Sequence, residues 1–203
     1  PGMAGGALPF RPSGMNAAPR GMNAMGKRPA SWVVATLAAL CAACGTAPTR
    51  AIPAVAQVDL PRFMGDWYVI AHIPSFPERK AFDAVESYAL RPDGKVQTTF
   101  RYRHGGFDQP LRTMRPVGTV RPGTRNAVWG MQFVWPIQAE YVIVYVDADY
   151  QQTIVGRSAR DYAWIMARKP RIAESDYRAH LARLKALGYD IRQVRRVPHA
   201  VAQ

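Results

Sequence analysis

The sequence predicts an all-β fold, an eight-stranded antiparallel up-and-down barrel with one C-terminal α-helix packed outside it. Three observations carry that expectation. Eight strand-like runs follow one another between Trp67 and Ala167, with turn signals between them. An amphipathic stretch comes only after the last run. The triplet Gly65-Asp66-Trp67 opens the first run, and Arg168 follows the last. An Arg at that point can stack on the Trp67 indole and donate hydrogen bonds to the incoming chain, which closes one barrel end.

The first run spans Trp67 to Ile73, the second Val85 to Leu90, the third Val96 to Tyr102 and the fourth Arg112 to Val120. Ala127 to Val134, Tyr141 to Val146, Thr153 to Gly156 and Tyr162 to Ala167 complete the eight. Arg91-Pro92-Asp93-Gly94, His104-Gly105-Gly106 and Arg121-Pro122-Gly123 supply turn chemistry between them. The helix is expected from Ser175 to Leu187, with Tyr177, Leu181, Leu184 and Leu187 on one face and Gly188 placed to end it. A short strand from Ile191 to Val194 is expected to add to the barrel edge.

Successive strand residues point to opposite faces, so Trp67 fixes which side chains face inward. The same parity sends Val69, Ala71, Trp164 and Met166 into the barrel. Similar phasing selects Tyr88, Phe100, Tyr102, Met131, Phe133, Tyr141, Ile143 and Tyr145. These twelve side chains predict an apolar, aromatic cavity carrying a few hydroxyls. The alternative is a barrel filled completely by its own side chains, which eight strands allow.

The N-terminal region reads as targeting sequence. Lys27 and Arg28 precede an uncharged, mostly apolar run of thirteen residues from Ser31 to Ala43, too short to span a bilayer comfortably. Pro1 to Asn23 is rich in Gly, Pro, Ala and Met and reads as translated upstream sequence or a disordered leader, with Met25 a candidate start. Residues 1–43 are therefore assigned to leader and signal peptide, 44–57 to a Pro- and Ala-rich tether, 58–198 to the barrel and 199–203 to a tail. Removing the four basic residues of 1–43 leaves 23 basic against 14 acidic residues, a formal +9. Those cations are scattered through turns and strand faces, clustering only at Arg192, Arg195 and Arg196, which argues against nucleic acid and for a solvated or anionic-lipid-facing surface.

The motifs above resemble those of lipocalins, specifically the bacterial lipocalin and apolipoprotein D-like branch, over Val58 to Pro198. Besides Gly65, Trp67 and Arg168, the matching stretches are Tyr88-Ala89-Leu90-Arg91-Pro92-Asp93-Gly94, Asp147-Ala148-Asp149-Tyr150 and Asp161 to Pro170. The chain departs from the pattern at Ala148, where many relatives carry Thr, and at Ala173, where this branch often has a helix-capping Ser. Cys41-Ala42-Ala43-Cys44-Gly45 resembles a lipoprotein cleavage motif, with Cys where Leu is usual. Cys41 as acceptor is disfavoured by the preceding Leu40, and an ordinary signal peptide with an incidental Cys is the alternative. The resemblance implies that Cys44 becomes the first residue of the mature chain, carrying diacylglycerol and an amide-linked chain such as palmitate. Several acyl chains at ~0.8 kcal/mol per buried methylene hold a protein on a membrane without a spanning helix. Gly45 lacks the Asp that retains many lipoproteins at the inner membrane, so the expected location is the outer membrane, facing the periplasm.

The resemblance implies a lipid-binding protein that takes fatty acids or lysophospholipids, for transport, storage or repair of envelope lipid; it is compatible with a homodimer. The head group is expected at the open end, near Ser75 to Lys80 and Arg103-His104-Gly105, with Arg79, Lys80 and Arg103 as candidate partners for a carboxylate or phosphate. No cofactor, metal or catalytic residue is expected. With Cys41 removed and Cys44 acylated, the mature domain has no thiol nucleophile. His72, His104, His180 and His199 show no metal spacing, and Asp147 and Asp149 fall in a structural turn. A lipid-modifying enzyme and a non-binding envelope scaffold are the alternatives.

Overall fold

A computed structural model describes residues 50–200; the signal region, Cys44 and the first part of the tether lie outside the described residues. A short helix, α1 (Leu60–Phe63), begins where the Asp59 side chain accepts the Arg62 N–H, and Pro61 suits its first turn. The barrel then forms from β1 (Gly65–Ile73), β2 (Ala81–Leu90), β3 (Val96–His104), β4 (Leu111–Met114), β5 (Val117–Val120), β6 (Val128–Val134), β7 (Ile137–Val146), β8 (Gln152–Gly156) and β9 (Ala163–Ala167). Each strand pairs antiparallel with its neighbours, and β1 returns against β9 to close the ring. The fourth run is broken in two at Arg115-Pro116, because Pro116 has no N–H for the ladder. β4 and β5 both pair with β3, so together they make one wall of an eight-stranded barrel.

The helix α2 (Glu174–Ala186) follows, its N-cap Ala173 supplying no side-chain hydrogen bond. Gly188 ends it at φ +90°, a left-handed conformation that Gly adopts without a Cβ clash. The strand expected at Ile191 to Val194 is not formed. Asp190 caps a 3₁₀ turn, Ile191–Gln193, by accepting the Arg192 N–H. Pairing begins only at β10 (Arg195–Arg196), opposite Ala71 and His72.

Two apolar layers result. Inside the barrel lie Val69, Tyr88, Phe100, Tyr102, Met131, Tyr141, Ile143 and Met166 with Trp67 and Trp129. Between the barrel wall and α2 lie Ile70, Ala71, Ile154, Ile165, Tyr177 and Leu184. Residues 50–57, the described part of the segment read as a tether, run along the barrel. Ile52 is buried and its N–H donates to Ser158 Oγ at 3.1 Å; Val55 N–H donates to Ile143 O at 2.9 Å and Val58 N–H to Arg125 O at 3.0 Å.

One end of the barrel is shut by aromatic rings. Phe63, delivered by α1, packs on Trp67 at a ring-centroid distance of 5.0 Å and edge-on against Trp129 at 5.6 Å. Trp67 Nε1–H donates to Phe63 O at 2.8 Å, so the buried indole leaves no donor unpaired. Over the outer indole face lies the Arg168 guanidinium, 3.8 Å from the ring centroid. It donates to the carbonyls of Arg62 (2.7 Å), Met64 (2.8 Å) and Asp66 (2.8 Å), tying the chain entering β1 to the end of β9. A fourth bond, to Tyr150 O at 3.2 Å, reaches the β7–β8 turn. Replacing Arg168 by Ala leaves those carbonyls unpaired and is expected to lower the unfolding free energy by about 3 kcal/mol in urea titration. Arg168→Lys is expected to recover less than half, since an ammonium cannot present a planar fork to several carbonyls. A loss below about 0.5 kcal/mol for Arg168→Ala would put the clasp outside the stability of the barrel.

Candidate functional site

Above the aromatic plug the barrel is hollow. A cavity of about 300 Å³ opens at the end where the β1–β2, β6–β7 and β8–β9 connections gather. That is the lower end of the range for small-molecule pockets. Phe100, Met131, Phe133, Tyr141 and Trp164 of the predicted set line it, joined by Met114, Pro77, Ala139 and Tyr162. Val69, Tyr88, Tyr102, Ile143 and Met166 face the same interior but sit in the packed cluster around the cavity. Phe133 marks the rim, exposed to solvent as well as to the hollow.

Two of the twelve point the other way. Register slips by one residue between Val69 and Ala71 in the β1–β9 pairing, and between Ile143 and Tyr145 in β7–β8. A bulge inverts parity beyond it. Ala71 therefore lies in the outer layer, while Tyr145 packs under α2 against His180 and beneath the Arg183 guanidinium at 4.2 Å.

The three candidate head-group cations do not line the cavity either. Arg79 stacks on Phe76 at 5.3 Å, and Arg79 and Lys80 border a separate surface depression beside Arg195 and Arg196. Arg103 is held by Asp83 at 3.6 Å and donates to Gln109 O at 2.5 Å. The cation in the cavity wall is Arg157, at the open end of β8, which alternation does not single out because it follows the strand. Its Nη1 meets Asp161 at 3.1 Å, its guanidinium lies 5.2 Å from the Tyr162 ring centroid, and its buried Nε has no hydrogen-bond partner among the described residues.

Three carboxyls also reach the cavity. Glu78 is buried and accepts Trp164 Nε1–H at 2.9 Å and the Ser75 N–H at 3.0 Å, with the Ser75 hydroxyl as a further donor. Glu140 accepts the Ser158 N–H at 2.6 Å and Ser158 Oγ–H at 2.9 Å. Glu86 lies deeper, opposite Trp67 and Phe100 in the ladder. Its Oε2 accepts the Tyr88 hydroxyl, which is itself 2.6 Å from the Tyr141 hydroxyl. Its side chain is partly accessible, but towards the hollow rather than towards bulk water. Burial raises the carboxyl from its ordinary 4.5 to about 7; the Tyr88 hydrogen bond opposes the shift and nearby Glu78 adds to it. The same burial, with the Glu86 charge adding to it, pushes the Tyr88 and Tyr141 phenols well above their usual range.

With its geometry in place, the chain can be set beside known proteins. The lipocalin-like domain family matches residues 58–199, and the chain belongs to that family. It is 30% identical over 164 residues to the outer membrane lipoprotein Blc of Escherichia coli K12, covering 77% of this chain and 89% of that protein. It is 27% identical over 152 residues to temperature-induced lipocalin-1 of Arabidopsis thaliana, covering 72% of this chain and 82% of the relative. Among solved structures, insecticyanin from the tobacco hornworm Manduca sexta superposes with a TM-score of 0.58 at 15% identity, over 73% of this chain and 85% of that one. The cockroach allergen Per a 4 gives 0.54 at 17% identity, over 70% and 89%. These two share the barrel.

Burial of Glu86 makes the stability of the barrel depend on pH. A carboxyl that titrates at 4.5 when unfolded and near 7 when folded takes up a proton on folding between those values. Its contribution is fully present below 4.5 and is lost as pH rises through 7. Glu86→Gln, which keeps an oxygen for the Tyr88 hydroxyl, is therefore expected to match the parent in urea unfolding at pH 4 and to exceed it at pH 8 by at most about 3 kcal/mol. Equal stability of the two at both pH values would contradict this.

Proposed function

We propose that this chain is a membrane-anchored carrier that holds a single-chain lipid, a fatty acid or lysophospholipid, in the barrel cavity. The observation that carries the reading is a hollow lined by Phe100, Met114, Met131, Phe133 and Trp164 above a sealed aromatic floor. An acyl chain entering it leaves water at about 25 cal/mol per Å² of apolar surface, which offsets the ordering of a flexible ligand. Arg157, whose guanidinium stands in the cavity wall at the mouth, is the group that meets the carboxylate or phosphate of the lipid. Arg79, Lys80 and Arg103 add positive potential at the same end without entering the cavity. The outer-membrane lipoprotein relatives support a lipid anchor and a place in the outer membrane; Cys44 is the acceptor in this reading, and the barrel faces the periplasm.

The end that holds the mouth also meets the membrane in this reading. Phe76 (78% exposed), Trp135 (82%) and Ile137 (71%), with Phe133 and Val134, crown the opening with apolar surface beside exposed Arg79 and Lys80. The described chain starts at that same end: the Arg50 carbonyl accepts from Arg160 and Ile52 binds Ser158, both in the β8–β9 connection. Cys44 stands six residues earlier, and six extended residues reach no more than about 20 Å. An anchor there keeps the mouth near the bilayer, so lipid passes between bilayer and barrel without crossing water.

Protein purified without detergent and extracted with organic solvent is expected to yield single-chain lipid by mass spectrometry in near-equimolar amount; an empty extract contradicts the carrier reading. Arg157→Ala should weaken binding of a fatty acid about tenfold while leaving the matching fatty alcohol unchanged in a displacement titration. Equal loss for both would remove Arg157 from head-group recognition. Trp135→Ser with Ile137→Ser should reduce sedimentation of the Cys44→Ser chain with anionic phospholipid vesicles, and unchanged sedimentation would contradict docking through the mouth.

A further inference from the structure

Only one of the two Glu86 oxygens has a structural task among the described residues. The residue stands on the inner face of β2, two residues from Tyr88, in a wall otherwise made by Phe100, Met114 and Met131. Burying a carboxyl in such surroundings is unfavourable unless its oxygens find donors. The other two cavity carboxyls do find them: Glu78 takes three from Ser75 and Trp164, and Glu140 takes two from Ser158. Among the described residues Glu86 has one, the Tyr88 hydroxyl on Oε2, and none on Oε1. The phenols point their donors inward along a chain, since Tyr88 gives its proton to Glu86 and leaves its oxygen to accept from Tyr141. Glu86 is thus the terminal acceptor of a hydrogen-bond chain, with one oxygen open to the cavity.

We infer that Glu86 is a second polar subsite, deep in the cavity, which receives a hydroxyl on the buried part of the ligand, so that the preferred guest is a hydroxylated single-chain amphiphile. The inference rests on the lipid-binding reading above and sharpens it. Arg157 at the mouth and Glu86 further in define two polar points joined by apolar wall, which match an anionic head and a hydroxyl separated by methylenes. A hydroxyl fits this acceptor in either of its protonation states. It donates to the carboxylate, and it accepts from the protonated acid. A methyl end leaves Oε1 unpaired, and an ether end offers the carboxylate no proton.

The test uses the full chain without detergent, at pH 8, with a fluorescent fatty acid as the displaced probe. Decanoate, dodecanoate and tetradecanoate are compared with their ω-hydroxy and ω-methoxy forms. For at least one chain length the parent is expected to bind the ω-hydroxy form about tenfold more tightly than the ω-methoxy form. Glu86→Leu should abolish that preference and tighten binding of the unsubstituted chain, while Glu86→Gln, whose oxygen stays with the Tyr88 hydroxyl and whose amide N–H donates to a hydroxyl and a methoxy oxygen alike, should bring the ratio to within about threefold of one. Hydroxy and methoxy forms that bind the parent equally at every length overturn the subsite, and that comparison needs no variant to fold. A preference that survives in Glu86→Leu overturns it as well. If no chain displaces the probe from the parent, the lipid-binding reading itself falls, which is a distinct result from displacement without discrimination.

Discussion

Everything above the floor of this barrel depends on the Arg168 guanidinium lying on Trp67. A β-barrel must seal one end if it is to hold an apolar guest at the other, and strands alone leave both ends open. Here a single planar cation covers an indole at 3.8 Å and hydrogen-bonds three carbonyls of the segment that leads into β1. Burial draws its pKa down, opposed by Asp66 and Tyr88, yet a guanidinium stays charged under any ordinary condition. The first and last strands are therefore joined twice: by the β1–β9 ladder and by one side chain bridging their ends. Phe63 is carried into the plug by the same tied segment and meets Trp129 edge-on, and Trp129 and Tyr141 stack on each other with ring centroids 5.0 Å apart.

That floor sets the chemistry of the space above. Water is excluded from below, so polar groups on the cavity wall must be satisfied by one another or by a guest. Glu78 and Glu140 are satisfied by Ser75, Trp164 and Ser158, in bonds that brace the mouth. Among the described residues Glu86 keeps one oxygen without a donor, and Arg157 places its guanidinium in the wall at the mouth. Apolar wall between those two points gives the site its direction, with charge near the opening and hydrogen-bonding capacity further in. The outer layer under α2 works differently. It is filled by Ile154, Ile165, Tyr177 and Leu184 and holds the wall rigid from outside.

The barrel was legible because its signals are local: turn residues between short runs, a helical period only after the last, and Trp67 and Arg168 at matching ends. Strand bounds drifted where the signal is not local. β7 begins at Ile137, four residues before the expected Tyr141, because its extra residues pair across a hairpin whose cross-strand partners cannot be read from one strand. Pro116 breaks the fourth run, a cue that is local and present in the sequence. Parity served from Trp67 to Val69 and from Tyr141 to Ile143, then failed at Ala71 and Tyr145, since a bulge adds one residue without any residue type that demands it. Arg157 and Glu86 were missed for another reason. The interior was read as the set of apolar residues, although counting back two from Tyr88 puts Glu86 on the same face.

The proposed carrier function requires that hydrocarbon leave water inside this barrel, and calorimetric titration of the full chain with saturated fatty acids of increasing length, repeated at several temperatures, measures that transfer. Burial of apolar surface is expected to give one-to-one binding with a negative heat-capacity change that deepens with each added methylene until the cavity is full. Binding whose heat-capacity change is near zero and independent of chain length would contradict it, because the ligand would then be held by its head group at the surface with its chain still in water.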